Sequence, residues 1–194
     1  MERQLLHVRR IELSGFRRAD GLYDIEGVLK DTKTYDRHSS GVLRLAGDAI
    51  HQMRLRITVN TDFLIVDAHA ESEVVPYPGF CDVIGPEYKK LIGLTLAAGF
   101  TRETRALFGG TKGCTHLTEL IGGVATAAFQ TMSEEINASN DQQPFQLDGC
   151  HALRTDGDAV ETFYPTWYRA KETKRDPQGT IQRVRSGYDP PCCR

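Results

Sequence analysis

Apolar and polar positions alternate through the first half of the chain. Tyr23, Ile25, Gly27 and Leu29 interleave with Asp24, Glu26 and Val28, the two-residue period of a strand with one dry face. Met53, Leu55, Ile57 and Val59 interleave more cleanly with Arg54, Arg56 and Thr58. Asn60-Thr61-Asp62 supplies turn residues. A further strand then runs from Phe63 to Val74, with Leu64, Val66, Ala68 and Ala70 on one face and Asp67, His69 and Glu71 on the other. A short strand from Val8 to Leu13 precedes them. Together these segments predict an antiparallel meander with one buried face.

After Pro76-Tyr77-Pro78-Gly79 the period changes. Pro86 suits the first turn of a helix and Gly99 its end, with Leu91, Ile92, Thr95 and Leu96 as the apolar side. Gly109-Gly110-Thr111-Lys112-Gly113 is a loop that lacks phosphate-loop spacing. Leu117, Leu120, Ile121, Val124, Ala128, Phe129 and Met132 then recur at helical spacing. Asn137 to Pro144 is polar loop. Phe163, Tyr164, Trp167 and Tyr168 suggest that the stretch from Phe145 packs back on the domain. The expected fold class is α+β: an antiparallel β-meander packed against two or more helices, in a single domain over 1–170, with a disordered, charged tail over 171–194.

Composition narrows the function classes. A chain of 194 residues suits one domain, and 40% hydrophobic residues with a net charge of −2 point to neither nucleic acid nor membrane as partner. No apolar run follows the N-terminal Met1-Glu2-Arg3, so a cytoplasmic location is the expectation. Homo-oligomerisation is left open. Cys81, Cys114, Cys150, Cys192 and Cys193 form no C-x-x-C pair, which leaves them as free thiols, ligands or nucleophiles.

The densest chemistry is Gly113-Cys114-Thr115-His116. A cysteine at a helix start meets unpaired amides and the positive end of the dipole, which favour a thiolate. At the helix mouth Cys114 and His116 can converge on one point, and Glu119 lies on the face of His116, placed to orient or deprotonate it. Cys81, after the sheet, could join Cys114 and His116 in a soft, zinc-like ligand set. His51 shares the parity of Met53 and Leu55 and should face the core. Arg17-Arg18-Ala19-Asp20 and Asp31-Thr32-Lys33 flank the first long strand and are candidates to hold a carboxylate or phenolate.

Arg17-Arg18-Ala19-Asp20-Gly21-Leu22, Asp31-Thr32-Lys33, Ile50-His51-Gln52-Met53 and Gly113-Cys114-Thr115-His116-Leu117-Thr118-Glu119-Leu120 resemble the hallmarks of a bacterial domain-of-unknown-function family, over roughly residues 7 to 168. The family usually has an aspartate where this chain has Gln52. The resemblance implies cytoplasmic proteins that accompany aromatic-compound catabolism, including that of lignin fragments. Residues 51–132 more loosely resemble the iron–sulfur cluster scaffold fold, with Cys81 and Cys114 at its first and last cysteine positions; its middle cysteine has no counterpart between Gly93 and Phe100.

Three functions follow as expectations. The first is a lyase or isomerase using acid–base chemistry on an aromatic or phenolic compound, without a cofactor. Its catalytic candidates are His51, His116, Glu119 and Cys114, with Arg18, Asp31, Lys33 and Tyr35 binding substrate. The second is a metal- or cluster-binding accessory protein holding zinc or an iron–sulfur cluster through Cys81, Cys114 and His116. The third is a non-catalytic small-molecule binder.

Overall fold

The computed structural model describes residues 1–39, 41–137 and 142–170. The chain divides into two compact units, Met1–Ile136 and Asn137–Arg194. In the first, β1 (His7–Arg17), β2 (Tyr23–Lys33), β5 (Ala49–Val59) and β6 (Ile65–Val74) form one sheet in the order β1-β2-β5-β6, every neighbour antiparallel. A small hairpin, β3 (Arg37–Ser39) and β4 (Val42–Arg44), lies between β2 and β5 in sequence. Helix α1 spans Phe100–Phe108 and α2 spans Thr115–Ile136. The fold class is α+β, as the alternation predicts.

One sheet face carries the core. Ile25, Leu29, Met53, Leu55 and Ile57 are buried there with Leu117, Leu120, Ile121, Val124, Ala128 and Met132 of α2. Burying each such aliphatic side chain contributes about 1.5–3 kcal/mol. The helix sits close because β2 has no side chain at Gly27: a Cβ there would stand 3.0 Å from Val124 and 3.2 Å from Leu120.

The structure departs from the sequence pattern in four places. β1 is longer than Val8–Leu13 and runs to Arg17. In β6 the pairing shifts, with Thr58 opposite Asp67 but Val59 opposite Ile65. That bulge makes Val66 the extra residue, so Ile65 is buried and Val66 is exposed. No helix runs from Pro86 to Gly99. A 3₁₀ turn over Gly85–Leu91 is cut short by Gly93, at a φ of 90°; the Leu94 carbonyl then accepts from the Ile65 N–H, and the Leu96 N–H donates to the Phe63 carbonyl. Gly99 starts α1 rather than ending a helix.

In the second unit, α3 (Asp158–Phe163) buries Val160, and Asp148 Oδ1 accepts the Thr155 N–H at 2.8 Å. Residues 138–141 of the expected polar loop and the tail expected over 171–194 lie outside the described residues.

Candidate functional site

The register of three strands builds the site. Arg9 of β1 lies opposite Asp31 of β2, and Asp31 lies opposite His51 of β5. All three side chains stand on the helix-bearing face, in one row across the sheet. The β2–β5 register shifts immediately after the Asp31–His51 pair, where Thr32 meets Ala49 and Ile50 is the extra residue. Bulges of this kind end a ladder and re-aim side chains beside sites. Arg44 of β4 holds this corner through the carbonyls of Ala49, at 2.9 Å, and Val75, at 2.8 Å.

Asp31 is the hub, its side chain only 4% exposed. Its Oδ1 accepts from His7 Nε2 at 2.9 Å and Arg9 Nε at 2.8 Å. Its Oδ2 accepts from Arg9 Nη2 at 2.7 Å and His51 Nδ1 at 3.0 Å. From α2, His116 brings Nε2 to 3.5 Å of the same Oδ2. The His51 and His116 rings lie 3.9 Å apart, inclined at 30°.

Burial alone would raise the Asp31 pKa. The hydrogen bonds from Arg9 and His7 and the Arg9 charge outweigh it, holding the carboxyl far below its usual range. His51 is shifted down by burial, despite the Asp31 hydrogen bond and charge. His116 is shifted down by burial too, assisted by the His51 and Arg9 charges. Asp31 is thus a fixed anion, and both imidazoles favour the neutral, proton-accepting form.

A cavity of about 400 Å³ opens on this cluster. His51, His116, Cys114 and Cys81 form its polar side, and Met53, Pro76, Tyr77, Phe80 and Ile84 its apolar walls. Cys114 immediately precedes α2. Its N–H donates to the Tyr88 hydroxyl at 3.0 Å, and its carbonyl accepts the first helical bond from Thr118 N–H at 2.9 Å. Tyr88 is buried, stacked on Phe108 with centroids 4.5 Å apart. Cys114 Sγ lies 3.8 Å from His116 Nδ1.

The candidates named from the sequence separate clearly. His51, His116, Cys114 and Cys81 meet at one cavity, and Asp31 joins the two histidines below it. Asp31 is enclosed by protein donors, a position for orienting the histidines rather than for touching substrate. Glu119 makes no hydrogen bond or ion pair with His116, though its charge acts to raise the His116 pKa; it pairs with Arg9. Arg18 is held by Asp20 and Asp24 at the opposite end of β2, seven residues or about 23 Å from Asp31 along the strand. Lys33 and Tyr35 are not among the cavity-lining residues. Sequence reasoning missed His7, Arg9 and Tyr88. The signal for the first two was available: both are polar at the parity of Ile11 and Leu13, the inward side of β1.

Residues 7–130 match the family model described as "Protein of unknown function (DUF2889)". The chain belongs to this family. The DUF2889 match extends from the start of β1 into α2 and so includes His7, Arg9, Asp31, His51, Cys81, Cys114, His116 and Glu119. No curated protein and no solved structure matches the chain significantly.

Among the described residues, Asp31, His51 and His116 bring three potential metal-ligand atoms within 4.8 Å of one another; Cys81, Cys114 and His116 do not form such a group. Arg9 bonds both oxygens of Asp31. A cation on Oδ2 would face a guanidinium within hydrogen-bonding distance of the same oxygen, so the trio fits a metal poorly.

Proposed function

We propose that the protein is a small-molecule enzyme, a lyase or isomerase that uses acid–base catalysis on an aromatic or phenolic compound. The observation that carries this reading is the pair of closely apposed histidines, His51 and His116, directed at one buried carboxylate and lining one cavity. His51 turns Nδ1 to Asp31, and its Nε2 has no protein partner among the described residues. Neutral imidazoles beside a fixed carboxylate suit proton transfer near neutral pH. One ring removes a proton from the substrate and, as the imidazolium so formed, returns it at a neighbouring atom. Aspartate and Arg9 fix the geometry without entering the chemistry. Tyr77 and Phe80 offer walls to which an aromatic ring can pack.

The test is turnover of phenolic lignin fragments by the purified protein, with deuterium uptake from solvent followed at the reacting carbon. Alanine at both His51 and His116 should abolish turnover; an unchanged rate would remove the mechanism.

A second reading, a metal- or cluster-binding accessory protein, is favoured by the presence of Cys81, Cys114 and His116 around the same cavity. Elemental analysis of protein purified without a metal-binding tag tests it. A stoichiometric metal would support it over the acid–base reading.

A further inference from the structure

We propose that Cys114 is a covalent nucleophile toward an uncharged carbonyl compound, an ester or thioester of a small apolar or aromatic acid, with His116 as its base. The proposal rests on the reading of the cavity as an active site, and adds to it a bond-forming group and a substrate class.

Three side chains follow one another in the order such a step requires. Cys114 Sγ is 3.8 Å from His116 Nδ1. The opposite ring nitrogen, Nε2, is 3.5 Å from Asp31 Oδ2. Nucleophile, base and orienting carboxylate are thus in sequence, at the slightly long spacing common before a substrate draws such groups together. The proposal assigns His116 a proton on Nε2, toward the carboxylate, and a lone pair on Nδ1, toward the thiol. The Cys114 main chain is fixed from both sides, by Tyr88 on its N–H and by Thr118 on its carbonyl. The Thr115 and His116 amides belong to the first turn of α2, where no carbonyl within the helix can accept from them. They are the donors available to a developing oxyanion.

The substrate class follows from charge. Among the described residues, the cavity lining holds no lysine, arginine, aspartate or glutamate. Of the guanidinium groups beside the cluster, Arg9 is committed to Asp31 and Glu119 and Arg44 to the carbonyls of Ala49 and Val75. An entering carboxylate would lose hydration and meet no counter-charge, whereas an uncharged ester would pack against Met53, Tyr77 and Phe80.

In the step, the thiol proton moves to His116 Nδ1 as Sγ bonds to the carbonyl carbon. The carbon–oxygen bond of an ester, or carbon–sulfur bond of a thioester, then breaks, and the leaving alcohol or thiol takes the proton from His116. Water, deprotonated by His116, cleaves the acyl-cysteine, releasing the acid and restoring the thiol. No oxidant or reductant is consumed.

The 194-residue protein is treated with para-nitrophenyl acetate and quenched in acid within the first turnover, before the acyl-cysteine hydrolyses, and acetylation is mapped by peptide mass. Cys114 should acquire the acetyl group at least about tenfold faster than the exposed Cys150 of the same molecule. His116→Gln should slow Cys114 by a similar factor, and Cys150→Ser should leave it unchanged. If His116→Gln fails to fold, the ratio of the two cysteines within the wild-type protein decides. Methyl para-acetoxybenzoate should acylate Cys114 at least about tenfold faster than its charged counterpart, para-acetoxybenzoate. Equal labelling of Cys114 and Cys150, no labelling of Cys114, or no preference for the neutral ester would overturn the proposal. Phenolic turnover that survives Cys114→Ser but not loss of both histidines would remove this inference and leave proton transfer standing. Acylated Cys114 in a protein that turns over no phenolic compound would do the reverse.

Discussion

Asp31 and His51 face each other on adjacent strands at the last regular pair before the bulge, and their side chains meet at 3.0 Å. The pair ties the geometry of the site to backbone register. A shift of one residue in β5 would turn His51 to the other face of the sheet and leave Asp31 with one partner fewer.

Asp31→Asn should be among the most damaging substitutions in the chain. It removes the anion that holds Arg9, His7 and both cavity histidines. Breaking a buried pair in this way costs about 3–5 kcal/mol, with the lower end expected because Arg9 is partly exposed. Urea unfolding measures the loss. Turnover of the substrate, once identified, should fall by about 10²–10⁴-fold with the orienting group.

Stability should decline in two stages on acidification. His51 and His116 have folded pKa values below their ordinary 6.5, so the unfolded chain binds their protons first. Their contribution is present above about 6.5 and is lost as the pH falls from there through the folded values. Asp31, depressed from 3.8, contributes above that value and is lost as the pH falls through its folded pKa. Both stages have the same sign. Equilibrium unfolding at a series of pH values should show them, and His51→Gln should flatten the first; a stability maximum below pH 6 in the wild type would contradict the assignment.

Tyr88→Phe keeps the ring stacked on Phe108 but removes the hydroxyl that accepts the Cys114 N–H. A buried donor left unsatisfied costs about 1–3 kcal/mol. Thermal melting should detect the loss, and acylation of Cys114 should slow as the helix start loosens.

Gly27→Ala places a methyl group at the tight crossing of β2 and α2. Overpacking there should cost about 1–3 kcal/mol. Combined with Val124→Ala, the effect should be smaller than the sum of the two single changes, since the shortened side chain yields the space. Strict additivity in denaturant unfolding would mean that the helix does not close on the strand at that point.

A chelator should leave both melting temperature and turnover unchanged, because Arg9 already satisfies the charge of Asp31. A drop in melting temperature on chelation would favour the metal-binding reading.

The sequence exposed the site unevenly. His51 was legible because parity alone places it on the face of Met53 and Leu55. Cys114 and His116 were legible because a glycine-led loop meets a strongly periodic helix. Arg9 and Asp31 were not recognised as partners, since parity gives the face of a residue but not which residue of another strand lies opposite it. Glu119 was assigned to His116 by helical spacing; it acts on that ring through its charge, while its ion pair is with the distant Arg9. Ile92, Thr95 and Leu96 suggested a helix because local spacing does not register the left-handed turn at Gly93 or the pairing of the next residues with Phe63–Ile65.

The edge strand β1 has a role beyond bounding the sheet. It carries Arg9 and His7, the counter-ion and a principal donor of a carboxylate buried one strand further in. Until β1 docks, Asp31 lies beneath α2 as an uncompensated negative charge. Docking of β1 is then the step that allows Asp31 to remain ionised, and assembly of the edge becomes the same event as arming the centre.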